Sequence, residues 1–165
     1  GNDTTRNSIS GGVYFLNQNP KEYDKLRNNL DLIQGMVSEV IRYQTPLAHM
    51  RRTATQDYVL RGKHIKKGDK VIMFYGSANR DEAVFSDPDT FNVLRDPNPH
   101  VGFGGPGPHF CLGAHLARRE IALMFRELYT RLPDLELAGP PVQLRSSFIN
   151  GVKSLPISFT PVGVR

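Results

Sequence analysis

Cys111 is the only cysteine in a chain of 165 residues, so it has no internal disulfide partner and is either an inert thiol or a functional one. Its neighbours bear on the choice. The stretch Phe103-Gly104-Gly105-Pro106-Gly107-Pro108-His109-Phe110 precedes it, and Gly113 follows it by two. A helix expected from Leu112 to about Arg131 would put the sulfur at a helix N-terminus, where free amides and the helix dipole stabilise a thiolate, a good metal ligand. The glycines at 104, 105, 107 and 113 remove side-chain bulk on both sides of the sulfur. A large flat group could then lie against the backbone, with amide donors near the sulfur to tune it. A structural cysteine beside a Gly-rich turn is the competing explanation. A closed zinc site is disfavoured, because there is no second cysteine and no pair of histidines with closed-site spacing.

Two further pairs invite attention. Glu39 and Arg42 lie three apart in a helical stretch and hence on one face, where an ordinary surface ion pair is the plain alternative. Asp3 and Thr4 stand at the start of the chain as an adjacent acid and alcohol, and either would also serve simply as a helix cap.

The elements that must carry these residues follow from periodicity and breakers. Asn2 to Leu16 is expected to be helical, with a break at Asn17-Gln18-Asn19. Asn19 would cap a second helix that opens on Pro20 and carries Tyr23, Leu26 and Leu30 on one side. Ile33, Met36, Val37, Val40 and Ile41 give helical spacing over Leu32 to Tyr43, and Pro46 stops it. Asp57 to Tyr75 is strand-like, with turns at Arg61-Gly62 and Lys67-Gly68-Asp69, and fits a short antiparallel unit. Asp87 to Phe110 is too rich in Pro and Gly for an ordinary connection, and irregular loops of that length usually bind something. In the following helix Ala117, Ile121, Met124, Leu128 and Leu132 trace one apolar stripe that ends at Pro133. The tail offers strands around Gln143-Leu144 and Leu155 to Phe159, separated by the hairpin signal Asn150-Gly151.

With 39% apolar residues the chain can build one globular core. No window approaches the roughly 20 apolar residues that span a bilayer, and no targeting segment is evident, so a cytoplasmic location without a transmembrane anchor is expected. The net charge of +5 is scattered, apart from Arg51-Arg52, Lys66-Lys67 and Arg118-Arg119. Without interleaved aromatics these pairs do not form a base-stacking platform, so nucleic acid is not an expected partner.

The string from Phe103 to Gly113 resembles the haem-binding loop of the cytochrome P450 family: glycine four before the cysteine, a basic residue two before it, glycine two after it. That family holds its haem iron through a cysteine thiolate, so a ligand role for Cys111 is what the resemblance implies. One departure is that three residues separate Phe103 from Gly107 where the commonest pattern has two, as in bacterial members acting on sterols and branched lipids. The likeness continues along the chain. Glu39-Val40-Ile41-Arg42 is similar to the family's Glu-x-x-Arg pair, Arg95 to its third partner, and Gly1-Asn2-Asp3-Thr4-Thr5 to its oxygen-activation stretch.

The resemblance implies a mainly α fold with small antiparallel sheets (α+β), the C-terminal portion of the P450 fold over residues 1–165 with more than half of a typical member lying N-terminal to it. It implies haem b with Cys111 as iron ligand, and Arg52, His109, Phe103, Gly105, Gly107 and Gly113 as cofactor contacts. Glu39, Arg42 and Arg95 would be a structural clamp holding the cysteine loop. Asp3 and Thr4 would be the acid and alcohol that pass protons to dioxygen. Leu47, Ala48, Met50, Phe148 and Ile149 would line an apolar substrate, lipid-like or sterol-like. Electrons derived from NAD(P)H would arrive through a separate ferredoxin-type donor docking near Arg118 and Arg119, in a bacterial cytoplasm. Two other readings stay open: a haem-binding module without catalysis, and a basic interaction domain with an inert cysteine.

Overall fold

The computed structural model describes residues 2–160, and Gly1 lies outside them. Three helices make the core: α1 (Asn2–Gln18), α3 (Ile33–Gln44) and α5 (Ala114–Arg131), with the short α2 (Pro20–Asn28) and α4 (Tyr75–Ala78) at the margins. Two mid-helix glycines explain how closely the three pack. A Cβ at Gly12 would sit 2.5 Å from the Phe125 ring, and one at Gly11 would collide with the Gln44 side chain. A larger residue at Gly12 would push α5 and α3 off α1, and one at Gly11 would displace the Gln44 side chain, so these glycines serve contact at a cost in helix propensity. Around them Val13, Leu16, Met36, Val40, Ile121 and Phe125 are buried.

The architecture is mainly α with small antiparallel sheets, as expected, although several local expectations need correction. Helix α1 runs on through Asn17 and Gln18. Asn19 stands at the N-cap of α2, as expected, but its side chain makes no capping bond to that helix; the side-chain amide instead donates to the Phe15 carbonyl at 2.8 Å, closing α1. Helix α3 ends one residue later than expected, because Thr45 takes a left-handed conformation (φ 43°) and its hydroxyl donates to the Arg42 carbonyl at 2.6 Å.

Strand β1 (His49–Thr53) was not expected. It pairs with β4 (Lys70–Phe74), while β2 (Tyr58–Leu60) and β3 (Lys63–Ile65) form a separate hairpin between them. The anticipated antiparallel unit is therefore two ladders. In the tail, β6 (Val142–Gln143) pairs with β7 (Val152–Ser154), but β8 (Ile157–Ser158) pairs with β5 (Glu136–Leu137). Asn150-Gly151 is no two-residue turn: Asn150 is tied to the end of α3, donating to the Gln44 carbonyl and accepting from the Gln44 side-chain amide.

The buried face of α5 is Ile121, Ala122, Phe125 and Tyr129, whereas Met124 of the expected stripe is exposed. The helix is apolar on two sides, and the side opposite Gly12 turns inward. Helix α5 also begins at Ala114; Leu112 and Gly113 lie in a turn, in which the Cys111 carbonyl accepts from the Ala114 amide at 3.2 Å. The sulfur-bearing residue thus precedes the helix by three positions. Among the described residues no helix is long and apolar enough to cross a membrane.

Candidate functional site

From Asn79 to Gly113 the chain forms no regular helix or strand, so side chains must satisfy much of its backbone. Glu39 and Arg42 of α3 do this from inside. Both are fully buried and joined by a two-pronged ion pair, with Nε to Oε2 and Nη2 to Oε1 each 2.8 Å. Arg95 closes on the same carboxylate at 3.1 Å, the Asn98 amide donates to it at 3.0 Å, and the Asn92 backbone amide at 2.9 Å. The remaining guanidinium protons reach outward. Arg42 donates to the carbonyls of Asn79, Pro88 and Thr90, and Arg95 to those of Ser86, Asp87 and Thr90. One carboxylate facing two cations is worth burying only when its remaining lone pairs are satisfied, and here they are.

The cysteine loop rests on α3 next to this cluster. A Cβ at Gly102 would come within 2.6 Å of Ile41, so only glycine lets the loop lie this close. Gly104 (φ 88°) and Gly107 (φ 129°) bend the loop through conformations that side chains avoid. The Cys111 amide then donates to the Phe103 carbonyl at 3.0 Å, which brings the loop's two ends together. Cys111 itself is exposed, between the exposed side chains of Phe110 and Leu112.

This arrangement fits a haem. The donor is one accessible sulfur, and among the described residues no three His, Cys, Asp or Glu side chains converge to hold a metal by themselves. A single thiolate suits an iron whose equatorial positions a macrocycle fills. Added bulk at Gly105 or Gly107 would meet nothing within 4 Å, and a Cβ at Gly113 would stand 3.9 Å from the sulfur, so the surface beside Cys111 is open. Its apolar neighbours suit a porphyrin edge.

The other expected residues fall in several places. Arg52 lies on β1 opposite Val71 and donates to the Arg51 carbonyl, and His109 is exposed on the loop. Asp3 is exposed in the first turn of α1 and pairs with Arg6 at 3.3 Å, while Thr4 is half-buried. The two apolar patches, far apart in sequence, do meet. Leu47 and Ile149 form an antiparallel bridge, the Ala48 amide donates to the Phe148 carbonyl, and His49 stacks edge-on against Phe148 with ring centres 5.6 Å apart. An open groove of about 1300 Å³ runs between α1 and α5, lined by Thr5 and Ile9 on one side and by Gly113, Leu116, Leu123 and Met124 on the other.

Further polar groups, which no sequence motif marks as a set, also hold the loop. Asn79 receives the Val101 amide at 2.8 Å and donates to the Thr45 hydroxyl at 3.0 Å. His100, Arg118 and Ser38 form a second cluster, with Arg118 half-buried and Arg119 exposed. Burial lowers the pKa of His100 to about 4, reinforced by the Arg118 cation and opposed by Glu39. Single polar residues inside a loop leave no periodic trace, so no local signal in the sequence marks them.

Comparison with known proteins agrees with this geometry. The cytochrome P450 family model matches residues 1–132. The chain is 50% identical to a methyl-branched lipid omega-hydroxylase of Mycobacterium tuberculosis over 97% of its own length and 38% of that protein's. It is 46% identical to a steroid C26-monooxygenase of Mycolicibacterium smegmatis over 99% of its length and 38% of the relative's. A solved Mycobacterium marinum cytochrome P450, CYP268A2 in complex with pseudoionone, superposes with a TM-score of 0.92 at 45% identity, covering 96% of this chain and 38% of that one. The chain thus spans well under half of these relatives. It belongs to the cytochrome P450 family.

Proposed function

We propose that this chain carries the haem-thiolate portion of a monooxygenase that hydroxylates an apolar, lipid-like or sterol-like substrate. The observation that carries the reading is the exposed Cys111 sulfur on a glycine loop fastened beside the buried Glu39–Arg42–Arg95 cluster. When bound, haem supplies the dioxygen activation that no side chain can perform. Cys111 would hold the iron through its sulfur. Arg52 and His109 are the cations and donors suited to the propionates. Thr4 holds a proton on its hydroxyl for delivery to oxygen, and Asp3 replenishes it from solvent, for which its exposure is suitable.

The joined patches Leu47–Met50 and Phe148–Ile149 offer an apolar wall for substrate, consistent with the lipid and steroid names of the relatives. A ferredoxin-type donor, charged from NAD(P)H, would deliver electrons on the Cys111 side, with Arg119 the exposed cation of the Arg118–Arg119 pair. The test is Cys111→Ala in the haem-loaded full-length protein. A thiolate ligand moves the Soret band of the ferrous carbonyl complex to longer wavelength than histidine does. Loss of that band is expected, and its persistence would remove Cys111 as the ligand. In the same protein Thr4→Ala is expected to consume NAD(P)H with more peroxide released per product, and unchanged coupling would exclude Thr4 from proton delivery.

A further inference from the structure

Arg118 is three things at once: a neighbour of Ser38 in α3, of His100 in the loop and of Phe103 at the start of the cysteine string. Its Nη1 donates to the Ser38 hydroxyl at 2.9 Å, and its Nη2 lies 3.2 Å from His100 Nε2. Its guanidinium carbon stands 4.9 Å from the centre of the Phe103 ring, and the His100 ring packs on the same Phe103 at 5.8 Å. Phe103 in turn offers the carbonyl to which the Cys111 amide is bound.

The sense of the His100 contact depends on the ring's tautomer, and the neighbouring donors bear on it. The Gly102 amide also points at this ring, 3.2 Å from Nδ1, yet a neutral imidazole has only one acceptor nitrogen. The charge-assisted contact from Arg118 is the stronger claim on it. A protonated ring would face a donor at each nitrogen and a cation beside it, so the packing itself keeps His100 neutral. With both grips made, the guanidinium plane is fixed, and its open face is covered by an aromatic ring.

Resting on the haem-thiolate reading, we propose that Arg118 is a positioning residue for the cysteine loop: held by Ser38 and His100, it packs on Phe103 and so fixes the carbonyl that anchors Cys111. Its neighbour Arg119, exposed to solvent, is the one suited to meeting a redox partner.

The experiment follows the lifetime of the long-wavelength ferrous carbonyl band in the haem-loaded protein for Arg118→Gln, Arg118→Lys, Phe103→Leu and the double variant Arg118→Gln/Phe103→Leu. Band loss is expected to be roughly tenfold faster in Arg118→Gln, the scale of a half-buried cation–π contact. Lysine keeps the charge without the planar fork, so Arg118→Lys is expected to resemble Arg118→Gln and not the parent. Residues that act through one another are non-additive, so the double variant is expected to be no faster than its worse single. A parental lifetime in either Arg118 variant, or additive effects in the double, overturns the proposal.

Should Arg118→Gln fail to fold, Ser38→Ala removes one grip alone and is expected to shorten the lifetime in the same direction; a parental lifetime there overturns the proposal as well. A parent that never shows the long-wavelength band, or keeps it in Cys111→Ala, fails the haem-thiolate reading instead. Hydrogen exchange at the Cys111 amide then decides the positioning role: roughly tenfold acceleration in Arg118→Gln supports it, and unchanged exchange refutes it.

Discussion

Protonating His100 would set a second positive charge against Arg118, with Arg42 nearby and only the Glu39 carboxylate in compensation. The folded pKa of about 4 lies below the ordinary 6.5. Unfolded chains therefore bind a proton here that the folded chain refuses between those values, and stability falls as pH drops through that window. The loss attributable to this residue is on the order of 3 kcal/mol at its low end. Measured across pH 6.5 to 4, the unfolding free energy of His100→Gln is expected to fall less than that of the parent by about this amount. Parallel curves would show that His100 is not the group responsible. His100 also marks how far the site was legible. Cys111 and its glycines stand in one contiguous string, and Glu39–Arg42 is fixed by helical spacing. His100, Ser38 and Asn79 act only through a fold that brings three segments together, and nothing local distinguishes them from surface residues.

Elements were readable where one side of a helix is apolar and the other polar, and less so where that contrast fails. Helix α3 has a clean buried face, from Ile33 through Ile41, and its position was anticipated almost to the residue. Helix α5 has apolar groups on two faces, and periodicity alone could not tell which one meets Gly12 of α1. Strand β1 escaped notice because His49, Arg51 and Arg52 hide any alternation, and its partner β4 lies beyond an intervening hairpin. At the same scale, the ion pairs differ sharply in weight. Removing Glu39 strands Arg42 and Arg95 without their counter-charge in the interior, which costs about 3–5 kcal/mol. The exposed Glu127–Arg131 pair on α5 is worth only about 0.3–0.5 kcal/mol. Glu39→Ala is thus expected to lower the denaturation midpoint steeply and Glu127→Ala hardly at all; comparable shifts would contradict the burial argument.

For the molecule as a whole, the groove between α1 and α5 is the dominant feature. Leu116, Leu123 and Met124 are 61%, 52% and 44% exposed along it. Each large apolar side chain left in water forgoes about 1.5–3 kcal/mol of burial, against about 5–15 kcal/mol of net stability for a typical domain. The 165 residues alone are accordingly expected to self-associate at micromolar concentration and to take up haem weakly, and Leu123→Lys with Met124→Lys to reduce the association. Sedimentation of the two chains checks this, and a monodisperse, cooperatively melting parent with stoichiometric haem uptake would refute it.

Arg42 and Arg95 hold the loop by the main-chain oxygens of Asn79, Ser86, Asp87, Pro88 and Thr90. Every residue type carries the same carbonyl, and the side chains of Ser86, Asp89 and Thr90 are exposed. The two arginines therefore register where the chain passes and not what it is made of. At exposed Ser86 and Thr90 the side chain can change without loss of these bonds, but the length of the segment cannot: a single deletion between Ser86 and Thr90 shifts every later oxygen out of reach.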